Sequence, residues 1–321
     1  MFHVPQPELQ INFAAQLAQI RRQYLQDALS ETVRGLDITE IDKQLATHVP
    51  GNSLAALAGH GLRGEMMFPV PVVLLANPRL LGYYRLLYGY SQKEFYTSAT
   101  GLARFKAMEE KGATADKVLP DIPGLCDALC AAAALLLAGI GKSKIGAALL
   151  DDLTLLTLGP QLRGGANVKK GSAGIRTVFN AVHAIVENAV VKLAETKMEI
   201  KNAAGRTVLI EFASDPDIII REEMRPGAYR NIIAIEVKAG SDFSNIHNRL
   251  GEAEKSHQKA RGAGFVECWT VVNVDKTDMA MAKRESPTTN RFYLISDLVA
   301  ASGDDYQDFQ DRVISLTGIK T

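Results

Sequence analysis

The 321-residue chain carries 36 Lys and Arg against 36 Asp and Glu, and 47% of its residues are hydrophobic. This length exceeds one average domain, so two domains or one elaborated domain is expected, with ample material for a core. The balanced net charge argues against a general nucleic-acid coat protein, which favours a basic surface, but leaves room for a DNA enzyme whose positive charge is confined to one cleft.

Cysteine usage and hydropathy narrow the class further. Cys126, Cys130 and Cys268 are too few for a disulfide framework. We interpret the first two as small core residues of a helix, with a metal or redox pair as the alternative. The longest apolar run, Ala128 to Ile140, has 13 residues and falls short of the ~20 that a membrane helix needs, so we expect a buried helix and no membrane partner. The chain starts without a basic segment followed by an apolar stretch, so we expect no signal peptide and a cytoplasmic location.

The first half of the chain is predicted to be largely helical. Apolar residues recur every three or four positions from Leu9 to Thr32, and shorter helices are predicted within residues 38–57 and 100–112. The segment from Phe68 to Leu75 is punctuated by proline and is predicted to be extended. An apolar helical region follows from Leu125 to Leu150.

A change in composition near residue 160 predicts a domain boundary. Glycines cluster across residues 159–174, so we expect a helical N-terminal region at 1–160, contributing DNA contacts or dimerisation, and a catalytic domain at 161–321. Lys169 and Lys170 lie in this segment, which has no acidic residue. A flexible, basic, glycine-rich segment that leads into a helix suits a DNA phosphate backbone. A solvated linker is the alternative.

Downstream of the boundary the predicted order is helix, three strands, helix and strand, a mixed α/β (α+β) fold. The pattern predicts an amphipathic helix from Ile175 to Glu195 and a short strand from Glu199 to Lys201. The bounds predicted for the remaining elements are strands at 208–213, 217–220 and 231–238, a helix at 248–261, strands at 265–274 and 292–295, and a helix at 306–316.

The most informative motif joins two of these strands. Asp217 begins one strand, and Glu236-Val237-Lys238 ends the next. Side chains alternate across a strand, so Glu236 and Lys238 share one face. Charges on an Ile/Val-rich strand are costly to bury without a use. If Asp217 lies on the neighbouring strand, two carboxylates and an ammonium converge.

This set of side chains suits metal-dependent cleavage of phosphodiesters. Mg²⁺ prefers oxygen ligands and keeps several waters, so Asp217 and Glu236 with a phosphate oxygen suffice to hold it. The ion stabilises charge in the transition state and acidifies a water. Lys238 would orient that water or donate to a phosphate oxygen; as a neutral amine it would accept a proton, which requires a depressed pKa. A surface-exposed charged strand is the alternative.

Two further segments carry candidate polar groups. Glu187 lies on the helix that enters the sheet, where it would hold a second metal ion or a metal-bound water, or would be an exposed helix glutamate. Residues Ser256 to Arg261 place polar side chains on a predicted helix, which would meet DNA or form a solvated face.

The motif in its αβββαβ context resembles the PD-(D/E)XK nuclease superfamily, with Pro216-Asp217 and Glu236-x-Lys238 as its signature over about residues 170–300. The N-terminal half resembles the XcyI-type restriction endonucleases, in the blocks His60 to Glu65, Phe68 to Pro71 and Leu80 to Lys93. The resemblance implies a restriction-endonuclease-like core and catalytic roles for Asp217, Glu236 and Lys238. It also implies a type II enzyme: an Mg²⁺-dependent homodimer, paired with a methyltransferase, that cleaves double-stranded DNA at a short palindrome of the CCCGGG type.

Base-reading residues are predicted from side-chain chemistry alone. Arg and Lys make bidentate contacts to guanine, which makes Arg63, Arg85, Lys93 and Arg104 the candidates.

Two other functions remain open. The same core would serve a repair or recombination nuclease that cuts by DNA structure, and a degenerate nuclease fold would bind DNA without cutting. The intact acid and lysine set counts against the second.

Overall fold

The computed structural model describes residues 6–141, 144–240, 246–273 and 279–320. The chain divides into two compact units, one ending at Gly165 and the other beginning at Ala166. The first unit is helical and the second is built on a mixed sheet. The predicted fold class, a mixed α/β protein with a largely helical N-terminal region, is confirmed.

The first unit is a set of packed helices. Their bounds are α1 Glu8–Tyr24, α2 Gln26–Arg34, α3 Ile38–His48, α4 Gly51–Ala58, α5 Pro71–Ala76, α6 Leu80–Leu87, α7 Gln92–Phe95, α8 Lys106–Lys111, α9 Ile122–Ile140 and the first part of α10 Ala147–Val186. The helix predicted between Leu9 and Thr32 is interrupted at Leu25, whose backbone is extended. The segment predicted to be extended is helical from Pro71 on, because proline at the first helical position has no N–H to leave unpaired.

Helix α9 is the apolar helix that the hydropathy predicted. The stretch Asp116–Ile140 is long and apolar enough to cross a membrane, by length and composition alone, with a mean hydropathy of 1.9. Cys126, Cys130 and Leu129 of α9 are buried in the core of the first unit, so the prediction of a buried helix is confirmed for this face. On the opposite face Leu135 is exposed.

The structure forms helix α10 where a flexible glycine-rich segment was predicted, so that prediction is wrong. The helix runs without interruption from Ala147 to Val186 and therefore includes residues 159–174. Each helical glycine costs only about 1 kcal/mol relative to alanine, and a helix propagates readily once its ends have formed. Both ends of α10 are anchored in a core: Leu150 in that of the first unit, and Val178 and Val182 in that of the second.

The second unit contains a seven-stranded sheet whose strands lie side by side in chain order. Their bounds are β1 Val190–Leu193, β2 Lys197–Lys201, β3 Thr207–Phe212, β4 Ile218–Arg225, β5 Ala228–Lys238, β6 Glu267–Val272 and β7 Arg291–Leu294. Strands β1 to β5 are antiparallel, and β6 and β7 continue in parallel. The helices are α11 Ile246–Gly262, α12 Met279–Glu285, α13 Ile295–Ala300 and α14 Asp304–Thr317.

The sheet confirms the predicted strands and adds one. Helix α10 ends at Val186 rather than at Glu195, and residues 190–193 form β1. β-Branched valines favour a strand here, and β1 pairs with β2. Strands β4 and β5 are longer than predicted and are joined at Pro226-Gly227, where Gly227 has a positive φ of 76°.

The two faces of the sheet pack against different helices. Val178 of α10 and Phe309 of α14 bury one face in a cluster with Ile235 of β5. Ala260 of α11 packs on the other face, against Ala234 of β5. Because side chains alternate along β5, Glu236 and Lys238 lie on the α11 face.

Candidate active site

The Asp217 carboxylate is held at the start of β4 by the neighbouring strand. A turn precedes it, closed by the Ala213 N–H donating to the Asp217 carbonyl over 2.9 Å, and the Asp215–Pro216 peptide within it is cis. Ile218 of β4 pairs with Ile235 of β5, so Asp217 comes beside the end of β5. There its Oδ2 accepts the Val237 N–H at 2.8 Å.

Glu236 and Lys238 complete a three-residue group with Asp217. The Lys238 Nζ lies 3.0 Å from Glu236 Oε1, and both side chains are largely buried, at 16% and 10% exposure. The structure therefore brings together the two acids and the lysine that the sequence predicted. Their positions follow from the register of β4 and β5, which are both long and apolar on their other face.

The electrostatics of the group reflect two carboxylates confined near each other. Burial, and then the charge of Glu236, raise the pKa of Asp217 to about 6. Burial alone would lower the pKa of Lys238, but Glu236 and Glu252 outweigh it, and the pKa of Lys238 is raised. In this structure Lys238 is therefore an ammonium at neutral pH, which favours donation over proton acceptance.

Helix α11 supplies polar contacts to this group that the sequence did not reveal. The Ser256 hydroxyl donates to Glu236 Oε2 at 2.7 Å, in a buried bond. One turn earlier, Glu252 Oε2 accepts from Lys238 Nζ at 3.2 Å. Ser256 is 3% exposed, so it belongs neither to a solvated face nor to a free DNA-contacting face, the two alternatives considered for this helix.

The helix also contacts the turn before Asp217. Lys259 pairs with Asp215. Lys259 first, and then Ser256, lower the pKa of Asp215. The sequence predicts a helix with polar side chains here, but a buried polar side chain and a solvated one give the same sequence pattern.

The donor set fits a hard divalent cation. Asp217 and Glu236 offer carboxylate oxygens only. Burial first and the charge of Glu236 second raise the pKa of Asp217, and a cation would relieve the second of these effects. Among the described residues no group of three or more His, Cys, Asp or Glu is placed to hold a metal ion. Two carboxylates, with water and phosphate oxygens in the remaining positions, match the habit of Mg²⁺.

Glu187 is not part of this group. It is exposed and opens a short 3₁₀ turn, Glu187–Ala189, before β1. At the start of β1, Val190 pairs with Ile200 of β2, which in turn pairs with Val208 of β3. Val208 lies opposite Glu222, near the end of β4 that is far from Asp217. Strands β2 and β3 also separate β1 from β4. The prediction that Glu187 is a metal ligand at this site is therefore corrected, and its alternative, an exposed glutamate, describes the structure.

Arg85 is a buried structural residue rather than a DNA contact. Its side chain is 1% exposed, and its Nε and Nη2 donate to the two carboxylate oxygens of Glu109 at 2.8 and 2.7 Å. Burial would raise the pKa of Glu109, but Arg85 outweighs it and the pKa is lowered. A guanidinium enclosed in this way cannot reach a base edge, so the prediction for Arg85 is wrong.

The other predicted base-reading residues lie at the surface of the first unit. Arg63 donates to Glu65 at 2.6 Å and to Asp42 at 2.8 Å, and its side chain is 42% exposed. Arg104 pairs with Asp121 at 2.8 Å. Lys93 is exposed on α7. For these three residues DNA contact stays a prediction.

Lys169 and Lys170 are also exposed, but on helix rather than loop. Both lie within α10, in a stretch where most side chains face solvent, including Val168 at 69% exposure. Their predicted contact with phosphate therefore requires a helix surface. That contact remains a prediction.

The N-terminal blocks that carried the family resemblance pack against each other. Tyr84 of α6 donates its hydroxyl to the Glu65 carbonyl and Tyr83 donates to the Met66 carbonyl, both at 2.7 Å. Tyr88 donates to the Met67 carbonyl at 2.8 Å. These blocks therefore build the core of the first unit.

Comparison with known proteins gives the family. The XcyI restriction endonuclease family model matches residues 14–320. The type II restriction enzyme XcyI from Xanthomonas campestris pv. cyanopsidis is 58% identical over 317 residues, covering 98% of this chain and 95% of the relative. The type II restriction enzyme Cfr9I from Citrobacter freundii is also 58% identical, over 98% of this chain and 96% of the relative. The chain belongs to the XcyI restriction endonuclease family, which confirms the predicted enzyme class of site-specific endonuclease.

Proposed function

We propose that this protein is an Mg²⁺-dependent type II restriction endonuclease that hydrolyses double-stranded DNA at a short palindrome of the CCCGGG type. The observation that carries the proposal is the meeting of Asp217, Glu236 and Lys238 at the adjoining ends of β4 and β5. The palindrome rests on the resemblance to XcyI-type enzymes. The restriction-enzyme names of both relatives support cleavage of DNA.

The two acids would hold the cation and the scissile phosphate between them. Asp217 would contribute the oxygen that is free of the Val237 N–H, and Glu236 the oxygen that faces Lys238. When bound, Mg²⁺ would supply charge neutralisation at the phosphate and acidify the attacking water. Burial of Glu236 and partial burial of Asp217 would limit contact with bulk water and strengthen these interactions.

Lys238 would donate to a nonbridging phosphate oxygen or orient the attacking water. In the metal-free protein Glu236 and Glu252 raise the pKa of Lys238, which supports this role over that of a general base. To meet the phosphate, the Lys238 ammonium would turn from Glu252, whose side chain is 65% exposed and free to move into solvent.

A two-fold palindrome is best matched by a two-fold dimer, in which each catalytic group addresses one strand. We therefore propose a homodimer, acting in the cytoplasm beside a methyltransferase that protects the host site. Exposed Lys93, Lys169 and Lys170, together with Arg63 and Arg104, are the proposed DNA contacts.

A digest of DNA of known sequence tests this function. The protein is incubated with the DNA and Mg²⁺, and the fragment ends are sequenced. One fixed sequence at every end, with no cutting in EDTA, is the expected result. Ends that follow branch points or flaps would instead indicate a structure-specific nuclease, and intact DNA across several divalent ions would overturn the proposal.

A further inference from the structure

Glu236 has two carboxylate oxygens, and each has its own partner. Oε1 lies 3.0 Å from Lys238 Nζ, on the side that carries the catalytic lysine. Oε2 accepts the hydroxyl of Ser256 at 2.7 Å. Glu236 as a whole is 7% exposed, so little water is available to replace a lost partner. The serine therefore sets the rotation of the Glu236 carboxylate about its Cγ–Cδ bond.

Ser256 is itself held rigidly, because α11 is anchored on either side of it. Glu254 accepts the Thr288 N–H at 2.9 Å and the Ser286 hydroxyl at 3.1 Å. The fully buried His257 ring lies 2.9 Å, through its Nε2, from the Thr270 hydroxyl of β6. Thr270 is the register partner of Glu236 on the adjacent strand. This buried network fixes the position from which the Ser256 hydroxyl points at Glu236.

We propose that Ser256 is a positioning residue that orients the Glu236 carboxylate so that one of its oxygens is presented, together with Asp217, to a divalent cation. The inference rests on the proposed metal-dependent function and names a residue that this function had not included. Outer-shell hydrogen bonds to ligating carboxylates commonly govern metal affinity, and losing one reduces affinity or activity about 10–100-fold.

The test measures cation binding directly, without DNA or turnover. Mn²⁺, which can stand in for Mg²⁺ at oxygen sites, is titrated into the full-length protein, and free ion is followed by electron paramagnetic resonance. We expect Ser256→Ala to weaken binding by roughly 10-fold or more. Ser256→Thr keeps the hydroxyl, so we expect it to restore most of the affinity. Ser256→Cys fills the site with a poor donor and gives an intermediate loss; it serves if the alanine variant does not fold.

Asn202→Ala is the matched control. Asn202 is also a buried polar residue that donates to a buried carboxylate of the sheet, but its partner is Glu222, which lies near the far end of β4 from Asp217. We expect this variant to lower the melting temperature while leaving the Mn²⁺ affinity within about two-fold of wild type, since the expected effect of a ligand-orienting bond is 10-fold or more.

Three results would overturn the proposal. If Ser256→Ala binds Mn²⁺ as tightly as the wild type, or if Asn202→Ala weakens binding to the same degree, then Ser256 contributes only to stability. If the wild-type protein itself binds no Mn²⁺, this inference and the proposed metal dependence both fail. If the wild type binds Mn²⁺ and Ser256→Ala binds it equally well, this inference alone fails.

Discussion

Asp217 carries the main electrostatic cost of the group formed by Asp217, Glu236 and Lys238. Its pKa is raised to about 6, by burial first and by Glu236 second, from an ordinary value of 3.8. A folded-state pKa above the unfolded value means that this group's stabilising contribution is complete below about pH 4 and is lost as the pH rises through about 6. At neutral pH, without a cation, the folded protein bears the full cost of the charge.

We therefore expect Asp217→Asn to stabilise the metal-free protein while abolishing cleavage. A shift of about two pKa units corresponds to at most about 3 kcal/mol, so the variant should melt several degrees higher than wild type at pH 8. The difference should largely vanish near pH 4, where the wild-type carboxyl is protonated in the folded state and about half protonated in the unfolded state. Scanning calorimetry in EDTA at the two pH values measures this. Equal melting temperatures at pH 8 would show that burial does not penalise the Asp217 charge.

Arg85 shows the opposite case, a charge that serves stability alone. Removing one partner of a buried pair costs about 3–5 kcal/mol because the other charge is left uncompensated. We expect Arg85→Met to lower the denaturation midpoint strongly, and Arg85→Met with Glu109→Gln to recover part of the loss. Arg104→Ala breaks a pair with an exposed arginine and should cost less than about 1 kcal/mol. Urea denaturation followed by circular dichroism compares the three. A small effect of Arg85→Met would show that the pair is not buried in solution.

At the scale of elements, α10 packs closely against the end of β5. A side chain on Gly174 of α10 would overlap the Ala239 Cβ, which follows Lys238 directly. Gly171, one turn earlier, has open space around it. The first glycine is needed for packing, whereas the second only weakens the helix.

The two glycines give a matched pair of variants. Gly174→Ala should destabilise the protein by roughly 1–3 kcal/mol through overpacking, and should slow cleavage because it displaces the chain next to Lys238. Gly171→Ala should stabilise it by about 0.5–1 kcal/mol through helix propensity. Melting temperatures and cleavage rates of both variants check this. The same sign for both would mean that α10 and β5 do not pack as described.

What the sequence predicted at this scale depended on local patterns. Alternation along β4 and β5 located Asp217, Glu236 and Lys238, because a strand's faces can be read from neighbouring residues. Ser256 and Glu252 were missed as contributors, because their contact with β5 depends on how α11 is rotated against the sheet. The continuity of α10 was missed because glycine content suggests a break, whereas anchoring at both ends of the helix opposes one.

At the scale of the whole molecule, the second unit carries Asp217, Glu236 and Lys238, the first unit carries the N-terminal blocks of the predicted resemblance, and the family model matches residues of both units. The order of helices and strands along the chain was predicted, apart from β1, whereas the order of the strands within the sheet was not. The DNA-contacting surface was not, since Arg85 satisfies the chemistry of guanine recognition and yet is enclosed by Glu109, which lies 24 residues away in the sequence. Side-chain type alone does not distinguish a buried ion pair from a base contact.

We propose that Lys238 acts on a DNA phosphate at the cation held by Asp217 and Glu236, and the most direct test separates binding from cutting. A plasmid with one CCCGGG site and a matched plasmid with that site scrambled are each mixed with wild-type protein or Lys238→Ala in Mg²⁺. We predict that wild type linearises only the first plasmid. We predict that Lys238→Ala binds the site in a gel-shift assay but cuts at least about 100-fold more slowly, as expected for loss of a transition-state donor. Cutting by Lys238→Ala at the wild-type rate would show that Lys238 is not a transition-state donor.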